Sequence, residues 1–403
     1  GDPKESKINT MTFYRDRLFL TNDDTVMASR SGDWDNFFLA DPETITDTDP
    51  LDLMVASNDY TPIKNLIPFK DFLFVGTSGN TQYELMGSQN ILSPLTASFA
   101  PSAFYPMLTE VKPVPMNNSL FFFAKKKMYI YFGQKAVVAE QAFELSRHVP
   151  EYLPESLKVV TPSSHGSMIF ALEENTDSTQ PTNVFVYRNQ IANEKVIQNA
   201  FFKFQFKSVT KSSVEFIKAW NKHLYIISYS REIADPYSPH VTLSRISLDD
   251  EAKNIPRLDD RRLLTLPYTA TFDSSLQKTT VTLTGVGYPL PDTLITSAGE
   301  VLPLTVTDAV NNIYTLEGHV TDLFSGTGES DAKWVGVNFT STVELSTPYV
   351  RDEANNIVPG TFNVRYCTLQ TYNSHKFDVN VSVNNRNKQT YSFNQEHRRY
   401  RYS

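Results

Sequence analysis

Strand-sized apolar segments recur along residues 1–250 at intervals of about 50 residues, and this repeat limits the folds open to the chain. Each unit reads as an apolar strand, a short turn and a second strand with alternating apolar and polar residues. A two-stranded hairpin is unstable alone in water, so each unit needs neighbours that cover its apolar side. We therefore predict an all-β chain with blades of antiparallel strands forming a β-propeller; the alternative is a generic antiparallel sandwich with accidental spacing. The anchor residues of the five units are Leu18, Leu73, Leu120, Met168 and Leu224.

The first unit, Phe13–Phe38, shows the pattern at its clearest. Arg17–Thr21 is a short apolar strand and Val26–Ser29 is its return strand. Asn22–Asp24 lies between them, and Asn and Asp favour turns because their side chains bond the nearby backbone. The residues expected to form a large apolar plug after this hairpin are Trp34, Phe37 and Phe38.

Changes in composition divide the chain into three predicted parts. Residues 1–250 hold the propeller blades, with completion by sequence outside this chain left open. Residues 251–350 read as a second β-rich domain, an antiparallel sandwich or barrel, because Thr and Val alternate in its strands. Residues 351–403 hold C-terminal strands that either continue the second sheet or return to the propeller. The best helical candidate is Ala136–Leu145.

Composition and charge exclude several classes of protein. Hydrophobic residues make up 40% and aromatic residues 12% of the chain, enough to build real cores. The single cysteine, Cys367, allows neither an internal disulfide nor a cysteine zinc site. No apolar stretch reaches the roughly 18 residues of a membrane span. The net charge of −8 argues against a basic nucleic-acid clamp, though not against a passage through which DNA slides without being held.

Motifs that would carry chemistry are missing or incomplete. The sequence contains no phosphate-binding loop, zinc-binding helix or hydrolase elbow. Asp47, Asp49 and Asp52 suggest a calcium loop, but the glycine and closing glutamate of that motif are out of register, which favours turn and capping roles. A glycan-binding or glycan-hydrolysing propeller remains the alternative function, through Asp33 or Asp52. The turn Ser29–Trp34 counts against it, because its Gly-Asp order is reversed relative to an Asp-box and does not repeat.

Two basic segments could contact nucleic acid, but other roles are favoured for both. Lys125–Lys127 is expected to be a solvated hairpin turn. His397–Tyr402 mixes arginine with tyrosine, a composition that favours a protein interface over stacking on a nucleic acid.

Four motifs in a fixed order resemble one known family. They are the hairpin with ASRSGDWDNFF in its continuation, Asp49–Asp52 (DPLD), Leu73–Leu85 (LFVGTSGNTQYEL) and His148–Pro154 (HVPEYLP). This order is similar to that of the tail tubular protein B, or nozzle, family of T-seven-like short-tailed phages, marine cyanophages included. Leu replaces the family's Ile in the second and fourth motifs. The predicted family-motif or structural residues are Arg17, Ser29, Phe37, Asp49, Pro50, Asp52, His148, Pro150, Tyr152 and Pro154.

The resemblance implies a structural protein of the virion tail, assembled in the host cytoplasm. It implies a homo-hexameric ring below an adaptor ring protein, a channel that carries genomic DNA without sequence-specific binding, and support for a tail fibre protein. Contact with the host outer membrane surface is a further expectation. It implies neither cofactors nor an active site, so we predict no catalytic, metal-binding or cofactor-binding residues.

Overall fold

The computed structural model describes residues 7–56, 60–88, 91–133, 142–175, 180–192, 195–206, 213–231, 239–248, 258–264, 268–283, 290–296, 300–324, 332–343, 368–369, 377–381 and 388–393. The chain divides into two compact units, residues 1–337 and 338–403. The described residues are strands and connections, with two single-turn 3₁₀ helices at Ser146–His148 and Thr321–Phe324. Neither of these helices has the length or apolarity needed to cross a membrane.

Five antiparallel sheets follow one another along the first part of the chain, and each strand pairs with the next in sequence. Sheet 1 contains β1 (Thr10–Tyr14), β2 (Arg17–Asn22), β3 (Thr25–Ala28) and β4 (Leu51–Met54). Sheet 2 contains β5 (Ile63–Phe69), β6 (Phe72–Thr77), β7 (Gln82–Met86) and β8 (Ser98–Ala103). Sheet 3 contains β9 (Val114–Met116), β10 (Ser119–Ala124), β11 (Lys127–Tyr131) and β12 (Ala142–Glu144).

The same order continues in the next two sheets. Sheet 4 contains β13 (Leu157–Ser163), β14 (Met168–Glu173), β15 (Thr182–Ala192) and β16 (Lys195–Phe206). Sheet 5 contains β17 (Ser213–Trp220), β18 (His223–Arg231) and β19 (Pro239–Ser247). Successive four-stranded meanders of this kind are the blades of a β-propeller. The predicted anchor residues all lie on the second strand of a sheet: Leu18, Leu73, Leu120, Met168 and Leu224.

Strand β10 shows how neighbouring sheets pack. Leu120 and Phe122 point to one face and pack with residues of sheet 2, whereas Phe121 and Phe123 point to the other face and pack with sheet 4. Successive side chains of a strand alternate between faces, so a strand buried on both faces must be apolar throughout. This explains the unbroken apolar run Leu120–Ala124 (LFFFA), and the serine that begins the strand, Ser119, is buried as well.

The part that follows sheet 5 is a second β-structure with its own core. Its strands are β20 (Asp259–Leu263), β21 (Tyr268–Asp273), β22 (Lys278–Leu283), β23 (Thr293–Thr296), β24 (Val301–Pro303), β25 (Thr305–Asp308), β26 (Ile313–Glu317) and β27 (Ala332–Val337). They form two four-stranded antiparallel sheets, ordered β20-β27-β23-β24 and β21-β22-β26-β25. Val281, Tyr314 and Leu316 of one sheet share a core with Leu294 and Val335 of the other. The two sheets therefore make an antiparallel sandwich.

The second compact unit contains a hairpin of β28 (Phe377–Val381) and β29 (Gln389–Phe393). The rings of Phe377 and Phe393 stack across it with centroids 5.1 Å apart.

The fold class predicted from the sequence is confirmed, while a helix prediction fails where it can be tested. Of the helical candidate Ala136–Leu145, only residues 142–145 are described, and Ala142–Glu144 is strand β12. Pairing with β11 from Tyr129 to Tyr131 supplies its hydrogen bonds and overrides the helical spacing of its apolar residues. Cys367 and residues 397–402 lie outside the described residues. The domain boundaries read from composition stay predictions.

Candidate functional site

Arg17 is the centre of the first motif and the largest fully buried side chain of the described residues, with 2% of its surface exposed. Its Nη1 donates to the backbone oxygens of Ser29, at 2.7 Å, and Asp49, at 2.6 Å. Its Nη2 donates to the backbone oxygen of Asp47 at 2.6 Å. One guanidinium therefore ties β2 to the end of β3 and to the chain just before β4.

Ser29 and Asp49 complete this arrangement, which we call the arginine anchor (Arg17, Ser29, Asp47 and Asp49). The Ser29 Oγ accepts a bond from the Leu18 amide at 3.0 Å. The Asp49 carboxylate, fully buried, accepts the Thr46 amide at 2.7 Å. That amide holds the pKa of Asp49 below its usual value. Burial lowers the pKa of Arg17, and attraction to Asp49 opposes the change.

The arginine anchor also accounts for the aspartates that suggested a calcium loop. The backbone oxygens of Asp47 and Asp49 are occupied by the guanidinium, so the cation in this loop is Arg17 itself. Asp52 stands apart, exposed on β4. Among the residues that the structure describes, no group of three or more His, Cys, Asp or Glu side chains is placed to hold a metal ion.

The expected aromatic plug after the first hairpin is wrong. Trp34 is 57% exposed and Phe38 is 80% exposed, while Phe37 is half-buried. Trp34 instead meets Phe13 edge to face, with ring centroids 5.4 Å apart. The interior side of sheet 1 is already filled by other residues, Phe19 and Val26 among them, so these aromatics remain on the surface. Pro50 is half-buried directly before β4.

The motif HVPEYLP forms the connection between sheets 3 and 4, and its side chains reach both. The His148 ring lies 5.6 Å from the ring of Phe201, and Tyr152 meets Phe185 edge to face at 5.7 Å. The carbonyl of Pro154 accepts the amide of Lys126, at 3.0 Å, in the β10–β11 turn. Pro150 directly follows the 3₁₀ helix and Val149, where the chain turns back. The motif thus contacts sheet 4 through two of its rings and the β10–β11 turn of sheet 3 through its backbone.

The three-lysine turn pairs with carboxylates. The Lys126 ammonium lies 2.5 Å from a Glu151 carboxylate oxygen and 3.4 Å from one of Glu155. Lys127 pairs with Glu144 at 3.1 Å. The two Lys126 pairs reach the connection between sheets 3 and 4, and the Lys127 pair joins β11 to β12 within sheet 3. Exposed ion pairs of this kind are in keeping with a solvated turn.

A buried polar pair between sheets 2 and 3 was not anticipated. The Tyr131 hydroxyl donates to the carboxylate of Glu84, and both residues are at most 1% exposed. Burial and this hydrogen bond raise the pKa of Tyr131. A glutamate inside the strand QYELM was the signal in the sequence, since a buried carboxylate needs a partner.

Among the residues that the structure describes, sheets 1 and 5 each present one face whose apolar side chains are exposed. Cross-strand pairing puts Met11 beside Leu20, Leu20 beside Met27, and Met27 beside Asp52 on one face of sheet 1. We call this the sheet 1 outer face; its exposed apolar residues, with their exposed fractions, are Met11 66%, Phe13 59%, Met54 67% and the adjoining Trp34 57%.

Sheet 5 has a corresponding face. Pairing puts Lys218 beside Tyr225 and Tyr225 beside Arg245, with Ile227 beside Leu243 in the same alternation. We call this the sheet 5 outer face; its exposed apolar residues are Phe216 44%, Trp220 63%, Val241 70% and Leu243 68%. Exposed apolar patches of this kind mark interaction surfaces.

Comparison with known proteins gives matches at two levels. A family model described as bacteriophage nozzle protein matches residues 5–401. Tail tubular protein gp12 of Escherichia phage T7 is 22% identical over 206 residues, which are 50% of this chain and 25% of that protein. The chain thus matches about a quarter of the length of this curated relative.

A search of solved structures gives matches with low TM-scores, two of them to yeast proteins. Hsv2p of Kluyveromyces lactis has a TM-score of 0.33 at 10% identity, covering 77% of this chain and 85% of that one. Prp20p of Saccharomyces cerevisiae has a TM-score of 0.31 at 8% identity, covering 70% of this chain and 73% of that one.

Proposed function

The chain belongs to the bacteriophage nozzle protein family, and we propose that it is a structural subunit of a phage tail nozzle. The family match over residues 5–401 is the observation that carries this proposal. In the proposed role, copies of the chain form a hexameric ring around the channel through which the genome leaves the virion. The ring contacts an adaptor ring protein above it and carries tail fibres.

The architecture suits such a role. The sheets share clusters of buried side chains with their neighbours, from sheet 1 through sheet 5. Close-packed interiors resist compression and transmit strain, which a tube under pressure requires. The arginine anchor and the HVPEYLP connection stiffen the long segments between strands and between sheets.

The charge of the chain suits a channel for DNA. A basic lining would hold phosphates and slow a passing genome. The chain instead carries a net charge of −8. In this proposal DNA passes without sequence-specific binding, and the chain has no catalytic role.

Labelling of purified virions tests the proposal. An antibody raised against the chain should decorate the end of the tail in electron micrographs, and native mass spectrometry of detached tails should give a hexamer of the chain. A preimmune serum is the control for labelling. Label on the capsid, or virions that lack the chain, would contradict a nozzle role.

No specific observation favours the glycan-binding alternative. Asp33 accepts a bond from the Asn36 side-chain amide at 3.1 Å within an exposed turn. Asp52 stands exposed on the sheet 1 outer face among Met11, Leu20 and Met27. Asp33 therefore stabilises a turn, and Asp52 lies at the edge of an apolar sheet face.

A further inference from the structure

Within the described residues, the outer faces of sheets 1 and 5 differ from the other faces of the five sheets, which share buried clusters with a neighbouring sheet. Sheet 2 buries Leu73 and Val75 against sheet 1 and Phe72 and Phe74 against sheet 3. Sheets 3 and 4 are likewise packed on both sides. Sheets 1 and 5 pack on one side each, and their outer faces carry the same aliphatic and aromatic residue types as the buried faces.

The two faces differ in charge. The sheet 1 outer face carries the carboxylate of Asp52 in its rows of apolar residues. The sheet 5 outer face carries Lys218 and Arg245 in the corresponding rows, on either side of Tyr225. Two copies of the same face would bring like charges together, whereas one face laid on the other would bring opposite charges together. Such complementarity fixes partner choice and suppresses wrong pairings.

We propose that the sheet 1 outer face of one copy packs on the sheet 5 outer face of a second copy of this chain. The contact continues the stack of sheets from one subunit into the next. It is heterologous, because different surfaces of the two copies meet, and repeated heterologous contacts close into a ring when the rotation allows. The inference deepens the proposed nozzle function and rests on it for the ring.

Charge reversal with rescue is the central test. Sedimentation velocity of the full chain up to about 100 μM should reveal self-association, because contacts of micromolar affinity are populated there. Asp52→Lys and Lys218→Glu should each raise the dissociation constant at least about tenfold, since each places like charges across the contact. The double variant Asp52→Lys with Lys218→Glu should recover wild-type association to within about threefold, because it restores an opposite pair.

Two further variants separate the contact from folding and from general charge effects. Trp220→Ser removes an exposed apolar anchor that is 63% accessible and should weaken association without changing the circular dichroism spectrum. Lys112→Glu makes the same charge change as Lys218→Glu at an exposed residue outside both faces and should leave association unchanged.

Each alternative result overturns the inference in a recognisable way. A chain that stays monomeric throughout the concentration series excludes the contact. Oligomers that tolerate both single reversals use another surface, and oligomers weakened by the single reversals but not rescued by the double variant do not pair these two faces. All three results leave labelling of the virion tail untouched, so failure of this contact is distinguishable from failure of the nozzle proposal.

Discussion

Replacing Arg17 with methionine should destabilise the chain by about 3–6 kcal/mol. The guanidinium makes two buried hydrogen bonds, to the backbone oxygens of Ser29 and Asp49, at 2.7 and 2.6 Å. Loss of a hydrogen bond from a charged donor to a buried acceptor costs about 1.5–3 kcal/mol, because the acceptor stays desolvated. The third bond, to Asp47, is partly exposed and water replaces it cheaply. Methionine keeps an apolar chain similar to the stem of arginine, so the change in the free energy of unfolding reports on the guanidinium group alone.

A lysine at position 17 should give an intermediate loss. Its ammonium is a compact charge that lacks the planar fork of arginine, and so it reaches fewer of the three carbonyls. Its positive charge still attracts the Asp49 carboxylate, as that of Arg17 does. The expected order of stability is therefore arginine, lysine, methionine.

Urea denaturation followed by circular dichroism measures the free energy of unfolding of each variant. Hydrogen exchange at the amides of Thr46 and Asp49, which bond within the anchored loop, shows where protection is lost. Arg15→Met is the matched control, because its guanidinium lies 5.2 Å from the Tyr14 ring and its bond to Asp71 is exposed. That variant should lose less than about 1 kcal/mol.

Two results would refute the reasoning about Arg17. A loss below about 1 kcal/mol for the methionine variant would mean that the buried carbonyls find other partners. Equal stability of the lysine variant and the wild type would mean that the fork geometry contributes nothing.

Other variants test the core and the buried ionisable groups. Phe122→Ala should lower the free energy of unfolding in urea by about 3–5 kcal/mol, because removal of a buried aromatic ring leaves a cavity. The matched change Phe104→Ala should have little effect, because Phe104 is exposed. Because the pKa of Asp49 is lower in the folded chain, its carboxylate stabilises the fold above the unfolded-state pKa of about 3.9, and this contribution is lost as the pH falls below that value. The free energy of unfolding of Asp49→Asn should therefore fall less steeply with decreasing pH than that of the wild type. Because the pKa of Tyr131 is higher in the folded chain, its neutral hydroxyl stabilises the fold below about pH 10, and this contribution is lost as the pH rises further. The free energy of unfolding of Tyr131→Phe should therefore fall less steeply at alkaline pH than that of the wild type. At neutral pH the same variant should be about 1–3 kcal/mol less stable, because Glu84 loses the Tyr131 hydroxyl as a hydrogen-bond donor. Thermal unfolding across the pH range that shows no such differences would contradict both assignments.

The sequence alone predicted the fold class and the position of the repeat. Runs such as Leu120–Ala124 (LFFFA) are apolar at every position, and a strand of that composition needs a covering layer on each face. The sequence therefore identified the second strand of each of sheets 1 to 5, and hence the spacing of the repeat. The structure adds strands that composition hides. For example, β1 joins β2 through Arg15 and Asp16, which adopt φ of 47° and 55° without the glycine that usually signals such a turn.

For the arginine anchor, too, the sequence indicated the residues and the structure gave their roles. Motif order pointed to Arg17, Ser29 and Asp49 without giving them a common role. Their roles depend on backbone carbonyls brought together by folding, and a carbonyl carries no signal in the sequence.

The sequence predicted that Trp34 belongs to an apolar plug, and the tertiary structure instead leaves its ring exposed beside Phe13. Alternation along a strand tells which side chains share a face, but it does not tell which neighbour covers that face. Within the described residues no second sheet shares a buried cluster with the outer face of sheet 1, so its exposed apolar side chains remain 57–67% accessible where those of sheet 3 are buried. Burial depends on the order in which sheets stack, and that order is a property of the folded chain.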